Sequence, residues 1–559
     1  MIRKAIAAFG LFLFLAGTAL AGNVKGLVLA DGKPLRDVWV TDGEVFSRTD
    51  ARGRYEFDSS KKTGMVWIVP PSGFVPESRD GLRPGFWQYL HLPENQDEMH
   101  DFLLRSEDQS RYSVILPTDF HLNNDPRKKD LAQFSALVTP LARRIAASAA
   151  GPVYTFHLGD FTQDIFWYEF GFNEAEGVRF LQDQRWPTLF TNVMGNHDHD
   201  GAVGGVDDVD WKSGWLYRDC FGPDRWSWDI GEEHWVFLDN IVYKNERKEG
   251  MILGPLCWGS RNYEHNLTDE QMAWLAEDLS HVGKDVRVIL CMHCPVFLHD
   301  WLGSGKVVPT MDGRTARLEE LASGFTHGFT VFSGHLHTFD FAAMDEYPHL
   351  RQYTLPATSG DQWKSPRGMA KAEGDGSPAG MMVADFSAGK EPEMHFETLT
   401  GTFYPYRVYD LNVVGKAYAE SAGIKALKEG RPERIDYSQP KWKNCVLVNY
   451  WYCRPGDRVE VLEAGKPLPL LTRRAEDPVV VFQKDVPHIF SDQAYPNPKE
   501  GYYVKFHNIQ PRAGIRFGYV FKSSSARAPL LLRITDASGK VRYEQELNRP
   551  LVFDPTLKQ

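Results

Sequence analysis

Cysteine is scarce in this chain, with six in 559 residues: Cys220, Cys257, Cys291, Cys294, Cys445 and Cys453. A chain of this length buries enough apolar surface to fold without disulfide staples. No cysteine pair has the spacing and partners of a zinc site, which leaves thiolates out of any metal chemistry. Cys445 and Cys453 lie close enough to pair across neighbouring strands or to stay as buried free thiols, and both readings stand. Basic residues are in deficit as well, 63 against 74 acidic, for a formal charge of −11. That balance speaks against general binding to nucleic acid polymers or anionic membranes, which use basic surfaces. Beyond residue 22 no stretch is long and apolar enough to span a bilayer. Internal repeats and low-complexity tracts are missing too. With 42% hydrophobic and 25% charged residues, the composition is that of folded protein over most of its length.

The N-terminus is the exception to the missing apolar runs. Arg3 and Lys4 form a positive start, Ile6 to Leu15 an apolar stretch, and Ala19-Leu20-Ala21 a small-residue cleavage site. Residues 1–21 therefore read as a secretory signal peptide, and the protein is expected to be exported, to the periplasm or the extracellular space of a bacterium. No cysteine follows the cleavage site, so a lipid anchor is not expected there.

The remainder falls into three blocks. Residues 22–107 begin with short strands (Lys25–Leu29, Val38–Thr41, Tyr55–Phe57) separated by Asp-Gly turns, the pattern of antiparallel hairpins and of a small β-sandwich. Residues 108–397 alternate strands with helices. The strands are Ser113–Pro117, Val153–Leu158, Thr188–Met194, Trp235–Leu238, Val286–Met292 and Phe329–Phe332; helices fall near 129–147, 173–184 and 268–281, the last opened by a Thr268/Gln271 capping box. This is an α/β block with its sheet covered on both faces. Residues 398–559 return to strands (Cys445–Tyr450, Arg458–Leu462, Val479–Gln483, Tyr503–Phe506, Ile515–Phe521, Leu530–Ile534, Arg542–Gln545) and read as a second β-sandwich. Gly374–Gly380 reads as a mobile loop.

The chemistry gathers at the ends of the central strands. Asp119 and His121 follow the first, Asp160 the second, Asn196, His197 and Asp198 the third; His293 follows the strand ending at Met292, and His335 and His337 the last. Ligands of open α/β sheets bind beyond the carboxyl ends of strands, so these five loops should converge on one crevice. Carboxylate, imidazole and one amide form a mixed nitrogen–oxygen set suited to borderline divalent ions such as Mn, Fe or Zn. Seven such side chains exceed what one ion with an open position takes, and with one carboxylate bridging they suit two. A two-metal centre clamps the attacking and leaving oxygens of an in-line displacement at phosphorus and makes hydroxide from water near neutral pH.

In order, Asp-x-His, Gly-Asp, Gly-Asn-His-Asp, His and Gly-His-x-His resemble the motifs of the calcineurin-like metallophosphoesterases, over roughly half the chain. The resemblance implies a four-layer α-β-β-α sandwich. It implies one ion held by Asp119, His121, Asp160 and His337, and a second by Asp160, Asn196, His293 and His335. His197 would bind no metal; it would contact the phosphoryl oxygen and act as general acid. Val24–Phe57 resembles the transthyretin-like N-terminal domain of bacterial secreted members, and residues 445–490 their C-terminal β domain. Two departures stand out. Some phosphoprotein phosphatases of the superfamily carry an Asp three residues after the bridging Asp, paired with the catalytic His; here that residue is Gln163, and the nearest carboxylate is Asp164. Purple acid phosphatases place a Tyr ligand there, which argues against their Fe(III) centre. The pattern is closer to the bacterial phosphodiesterase-like branch.

Ten of sixteen tryptophans lie between Trp167 and Trp301, and much of that segment, 199–265, is an insertion rich in Asp, Gly and Trp. It offers an aromatic wall for a sugar or base, or ordinary core. His199, Asp200, Asp207 and Asp208 are pocket edges or solvated loop. Asp164 and Asp198 are candidates to brace the ligands or the pocket, and 360–363 with 375–378 a lid. The expectation is an exported dimetal phosphoesterase, using a metal-bridging hydroxide on a phosphodiester before a phosphomonoester. The substrate would be a nucleotide, a lipid headgroup or a phosphorylated glycan. A binding protein for envelope or polysaccharide that keeps the fold without turnover is the alternative.

Overall fold

The computed structural model describes residues 22–126, 129–247, 256–300, 306–360, 363, 373–399, 401, 403–432, 434–486 and 517–555. The leader, Asp361, Gln362, Trp301 and the expected strand 503–506 lie outside them. Among the described residues no helix is long and apolar enough to cross a membrane.

The central block holds two mixed sheets. Its strands are β1 (Arg111–Leu116), β2 (Val153–His157), β3 (Leu189–Asn192), β4 (Arg225–Ile230), β5 (Glu233–Leu238), β6 (Arg287–Cys291), β7 (Phe329–Ser333), β8 (Asp340–Met344), β9 (Tyr347–Thr354), β10 (Gly380–Ser387) and β11 (Glu393–Thr398). One sheet runs β3-β2-β1-β10-β11 and the other β4-β5-β6-β7-β9-β8. β1, β2 and β3 are mutually parallel, as are β5, β6, β7 and β9; the remaining strands join antiparallel. Each strand points alternate side chains to opposite faces. On β1, Val114 and Leu116 share a core with the second sheet, whereas Ile115 packs among the residues of the helices α1 (Thr139–Ser148) and α2 (Glu174–Asp183). Phe156 meets Phe237 at 4.9 Å between ring centres and Trp235 meets Phe386 at 5.5 Å, so the facing sides of the sheets are joined largely by aromatics.

Helix α3 (Asp269–Ser280) starts where the sequence placed it. The Thr268 side chain accepts from the Gln271 N–H while Gln271 reaches back to the Thr268 N–H, satisfying two donors that a helix start leaves orphaned. Its far end is tied to the second sheet by charge. His234 on β5 lies 2.6 Å from Asp229 of β4 and 2.8 Å from Asp278 of α3, and Asp278 also accepts from the Ser227 hydroxyl.

The first block contributes a six-stranded and a four-stranded sheet, stacks Trp39 on His281 at 3.7 Å, and sets Phe86 against Trp226 in a tilted contact at 4.7 Å. The last block contains two four-stranded sheets but is not purely β. Leu411–Glu420 and Ala422–Gly430 are helices, capped by Asp410 and Ser421. Val479–Gln483, expected as a strand from its β-branched run, is helical. Pro478 opens the turn and the Asp477 carboxylate accepts from the Val479 and Val480 N–H groups, a start signal that overrides strand propensity. All six cysteines are free thiols.

Gly374–Gly380 is a buried clasp, not a mobile loop or lid. Ser377 is tied to Asp375, Asn449 donates to the Asp375 carbonyl, and Gly376 at φ 91° leaves no room for a Cβ, which would come 2.6 Å from Asp477. The segment fastens β10 to the last block.

The buried His234 sets a pH dependence of stability. Burial opposes its charge, but Asp278 and Asp229 carry its pKa up to about 10, above the ordinary value of about 6.5. The stabilisation is fully present below about pH 6.5 and is lost as pH rises through 10. The wild-type melting temperature should fall more steeply between pH 7 and 10 than that of His234→Gln. Equal slopes would contradict the ion-pair reading.

Candidate metal centre

The loops after β1, β2, β3, β6 and β7 meet at one place, and buried donors crowd there. The Nε2 atoms of His121 and His337 are 2.9 Å apart, and His337 Nε2 is 3.1 Å from Asp119 Oδ1. Asp160 Oδ2 stands 3.7 Å from His121 Nε2 and 3.3 Å from His293 Nε2. His293 Nε2 lies 3.3 Å from Asn196 Oδ1 and 3.2 Å from His335 Nδ1. All seven donor side chains named from the sequence are thus brought together, with Asp160 between two subsets.

The donor set fits divalent ions. Donor atoms about 2.0–2.2 Å from a tetrahedral ion stand roughly 3.3–3.6 Å from one another, close to the 2.9–3.7 Å found here. Asp119 Oδ1 is buried without a hydrogen-bond partner, an oxygen whose remaining capacity a cation would fill. Among the described residues four three-residue groups have the proximity of metal ligands: Asp119–His121–His337, Asp160–His293–His335, His121–Asp160–His197 and His265–Cys294–His335, the last bringing in a thiol that the sequence reading left out.

The backbone is bent to achieve this. Asp119, His121, Asp160, His335 and His337 all have φ between 46° and 67°, a region that side-chain-bearing residues seldom adopt. Such strain costs of order 1–3 kcal/mol per residue and concentrates at functional sites. Of the glycines between them, Gly159 has φ 93°, and a Cβ there would come 2.4 Å from His293. Gly334 has no such φ; a Cβ would fall 1.8 Å from the Thr118 hydroxyl, so it is close approach that demands glycine.

Charge is divided within the cluster. Burial opposes ionisation of Asp119, but His337 and His121 hold its carboxyl well below the usual range. Burial takes His121 down to about 4, whereas Asp160 overcomes burial at His293 and carries it up to about 10. His293 donates Nδ1–H to the Leu158 carbonyl, leaving Nε2 toward the donors.

His197 sits at the rim, part-exposed, with its N–H on Asp160 Oδ1. Its Nδ1 is 2.6 Å from Asp164 Oδ1, so Asp164 is the carboxylate that orients it. Gln163 is engaged elsewhere, accepting from Asn123, and the tight turn Asp164–Phe166 swings the next side chain into place. Asp198 is wholly buried beneath the centre. It accepts from the N–H groups of Asp160, Phe161 and Gly195, each at 2.9 Å, and from Asn192. His199 and Asp200 are buried and are not pocket edges. His199 bonds the Gly195 carbonyl and stacks on Tyr243, and Asp200 joins Tyr168 to Trp215. Asp207 and Asp208 are solvated. Trp226, Trp228, Trp235 and Trp274 are core, while Trp211 and Trp215 remain exposed.

Three residues near the centre were not singled out from the sequence. Arg261 pairs with Asp164, Tyr263 places its hydroxyl 3.4 Å from His335 Nε2, and the His265 ring lies 5.2 Å from that of His335. They alternate along one segment ending in the strand Tyr263–His265, paired with Ile241–Tyr243. Their period-two spacing was the available signal.

Residues 22–107 match the family model described as the N-terminal domain of calcineurin-like phosphoesterases. The match lies on the N-terminal side of the block whose motifs resemble the same family. Solved structures similar to it include a dimetal phosphatase from Danio rerio, at 13% identity, covering 52% of this chain and 96% of that one with a TM-score of 0.34. The purple acid phosphatase PPD1 of yellow lupin seeds is 11% identical, over 66% of this chain and 68% of that one, with a TM-score of 0.34. A 5'-nucleotidase precursor from Thermus thermophilus is 12% identical, over 52% of this chain and 54% of that one, at 0.28. No curated protein matches significantly.

Asp198→Ala should destabilise the fold by several kcal/mol, since each orphaned buried N–H costs about 1–3 kcal/mol. Denaturant unfolding measures it; wild-type stability in the variant would show that Asp198 does not hold the two loops.

Proposed function

We propose that this protein is an exported dimetal phosphoesterase that hydrolyses phosphate esters, phosphodiesters in preference to monoesters. The observation that carries the reading is the convergence of seven nitrogen and oxygen donors, with Asp119, His121, Asp160 and His293 buried among them, beside an imidazole already oriented by a carboxylate. Asp119, His121, Asp160 and His337 would hold one divalent ion, and Asp160, Asn196, His293 and His335 the other. We read the central sheets and their helices as an α-β-β-α sandwich flanked by two β-rich domains, and the leader at residues 1–21 as the support for export.

When bound, two such ions supply positive charge to the phosphoryl oxygens and lower the pKa of water. The protein's own groups do the rest. Asp160 joins the two ligand subsets, and its N–H on Asp198 fixes its height in the crevice. His197 fixes its Nδ1 on Asp164, which leaves Nε2 as the atom able to give a proton to the leaving oxygen. Burial opposes a proton on His197, but Asp160 and Asp164 raise its pKa, which suits a general acid. The phosphodiester preference rests on the resemblance to the bacterial phosphodiesterase-like branch. The substrate class remains that of nucleotides, lipid headgroups or phosphorylated glycans.

Full-length protein loaded with Mn or Zn should hydrolyse bis-p-nitrophenyl phosphate faster than p-nitrophenyl phosphate. Asn196→Ala and His293→Ala should each lose one ion, measured by elemental analysis, and nearly all turnover. His197→Ala should keep both ions and lose about 100-fold or more in kcat, within the range general acids supply. Fully metallated protein that turns over neither ester would instead support a binding protein.

A further inference from the structure

The His197–Asp164 pair does not stand alone. Asp164 is a buried carboxylate with two charged partners among the described residues, His197 on Oδ1 and Arg261, whose Nη1 lies 2.8 Å from Oδ1 and 3.1 Å from Oδ2. A carboxylate out of water needs such compensation to remain ionised, and only as an anion is it a strong acceptor for an imidazole N–H. Burial works against its charge, and Arg261, followed by His197, keeps its pKa below the ordinary value.

Arg261 is itself held in an uncommon conformation. Its φ is 56°, its N–H donates to Asn245 Oδ1 at 2.9 Å, and Asn245, also left-handed at φ 45°, spends its amide on the carbonyls of Gly201 and Val203. The Arg261 side chain then passes Gly201 so closely that a Cβ there would lie 3.2 Å from Arg261 Cδ and 3.2 Å from Asp164 Oδ2. The strained backbone, the Asn245 clamp and the missing side chain at Gly201 all serve one result, a cation against Asp164.

We infer that Arg261 is a positioning residue, which through Asp164 fixes the tautomer and orientation of the His197 ring at the metal centre. The inference rests on the proposed phosphoesterase reading for its catalytic consequence, though not for the geometry. Arg261 reaches the reaction through Asp164, its ion-pair partner, and not as a metal ligand. The device is built by the 199–265 insertion and lies outside the motifs shared with the family.

The test uses the full chain loaded with zinc and labelled with 15N-histidine. Wild-type protein should show His197 as a single tautomer protonated on Nδ1, with a strongly downfield Nδ1–H proton. Arg261→Ala should lose that signal and lower kcat about 10–100-fold, the usual scale for losing an outer partner of a metal site, with KM and both ions retained. Arg261→Lys, which restores charge but not the contact to both oxygens, should recover part of each. Gly201→Ala crowds the guanidinium while leaving every charge in place and should shift the His197 signal, so a misfolded Arg261→Ala would not leave the matter undecided. An unchanged His197 signal together with wild-type kcat in Arg261→Ala would overturn the inference. Absence of turnover in loaded wild-type protein would remove the phosphoesterase reading, and the His197 signal would still decide whether Arg261 fixes the ring.

Discussion

The centre depends on one buried carboxylate that faces away from it. Asp198 gathers the N–H groups of Asp160, Phe161 and Gly195 and the amide of Asn192, which belong to the loops after β2 and β3. Remove that acceptor and two loops that hold Asp160, Asn196 and His197 lose their common anchor. Its own charge is expensive to bury. Burial, then Asp160, raises the Asp198 pKa to about 6, and neighbouring Glu174 is pushed well above the carboxylate range by burial and by Asp198. Glu174, held toward its neutral form, therefore adds little negative charge of its own beside Asp198.

Above that anchor, geometry and electrostatics both point to cations. Nitrogen and oxygen lone pairs brought within about 3–4 Å repel one another unless protons or metal ions lie among them. Five of the donor residues also hold left-handed backbone, so the fold sustains strain and repulsion at the same place. A natural fold retains such a combination where binding a cation offsets it. The alternate side chains of the insertion, Arg261, Tyr263 and His265, border the same centre.

The readable part of the sequence was the part in which local pattern and position coincide. Apolar strands that run directly into a polar metal-ligand residue, with or without a glycine between, mark both the sheet and the loop beyond it, so Asp119, Asp160, Asn196, His293 and His335 were legible together. The α3 start was legible because its capping box lies within four residues. Where a long-range partner decides, the sequence was silent. Asp164 looked one residue out of place until the turn at Asp164–Phe166 and the engagement of Gln163 with Asn123 put it against His197. Val479–Gln483 had strand-like side chains, but Asp477 and Pro478 decided in favour of a helix turn. Gly374–Gly380 had the composition of a loop tip and became buried because Asn449 and the Asp477 region pack on it, contacts more than 70 residues away. Three of the six tryptophans of the insertion, Trp226, Trp228 and Trp235, had the ordinary explanation, as core.

Arg261 also bears on the acidic balance of the chain. A protein of net charge −11 repels an anionic ester at long range, and that repulsion is screened over about 8 Å at physiological salt. What would act on the proposed anionic substrate is the local arrangement. Asp119 and Asp160 are offset by whatever cations their donors hold, and Asp164 is offset by Arg261 and His197. The carboxylate nearest the rim is thereby neutralised by the protein itself, before any ion is counted. Its acceptor strength is turned inward onto His197 and not outward against a phosphoryl group. A chain can be acidic overall and still present a crevice fit for a phosphate ester, provided that each buried carboxylate there has an assigned cation.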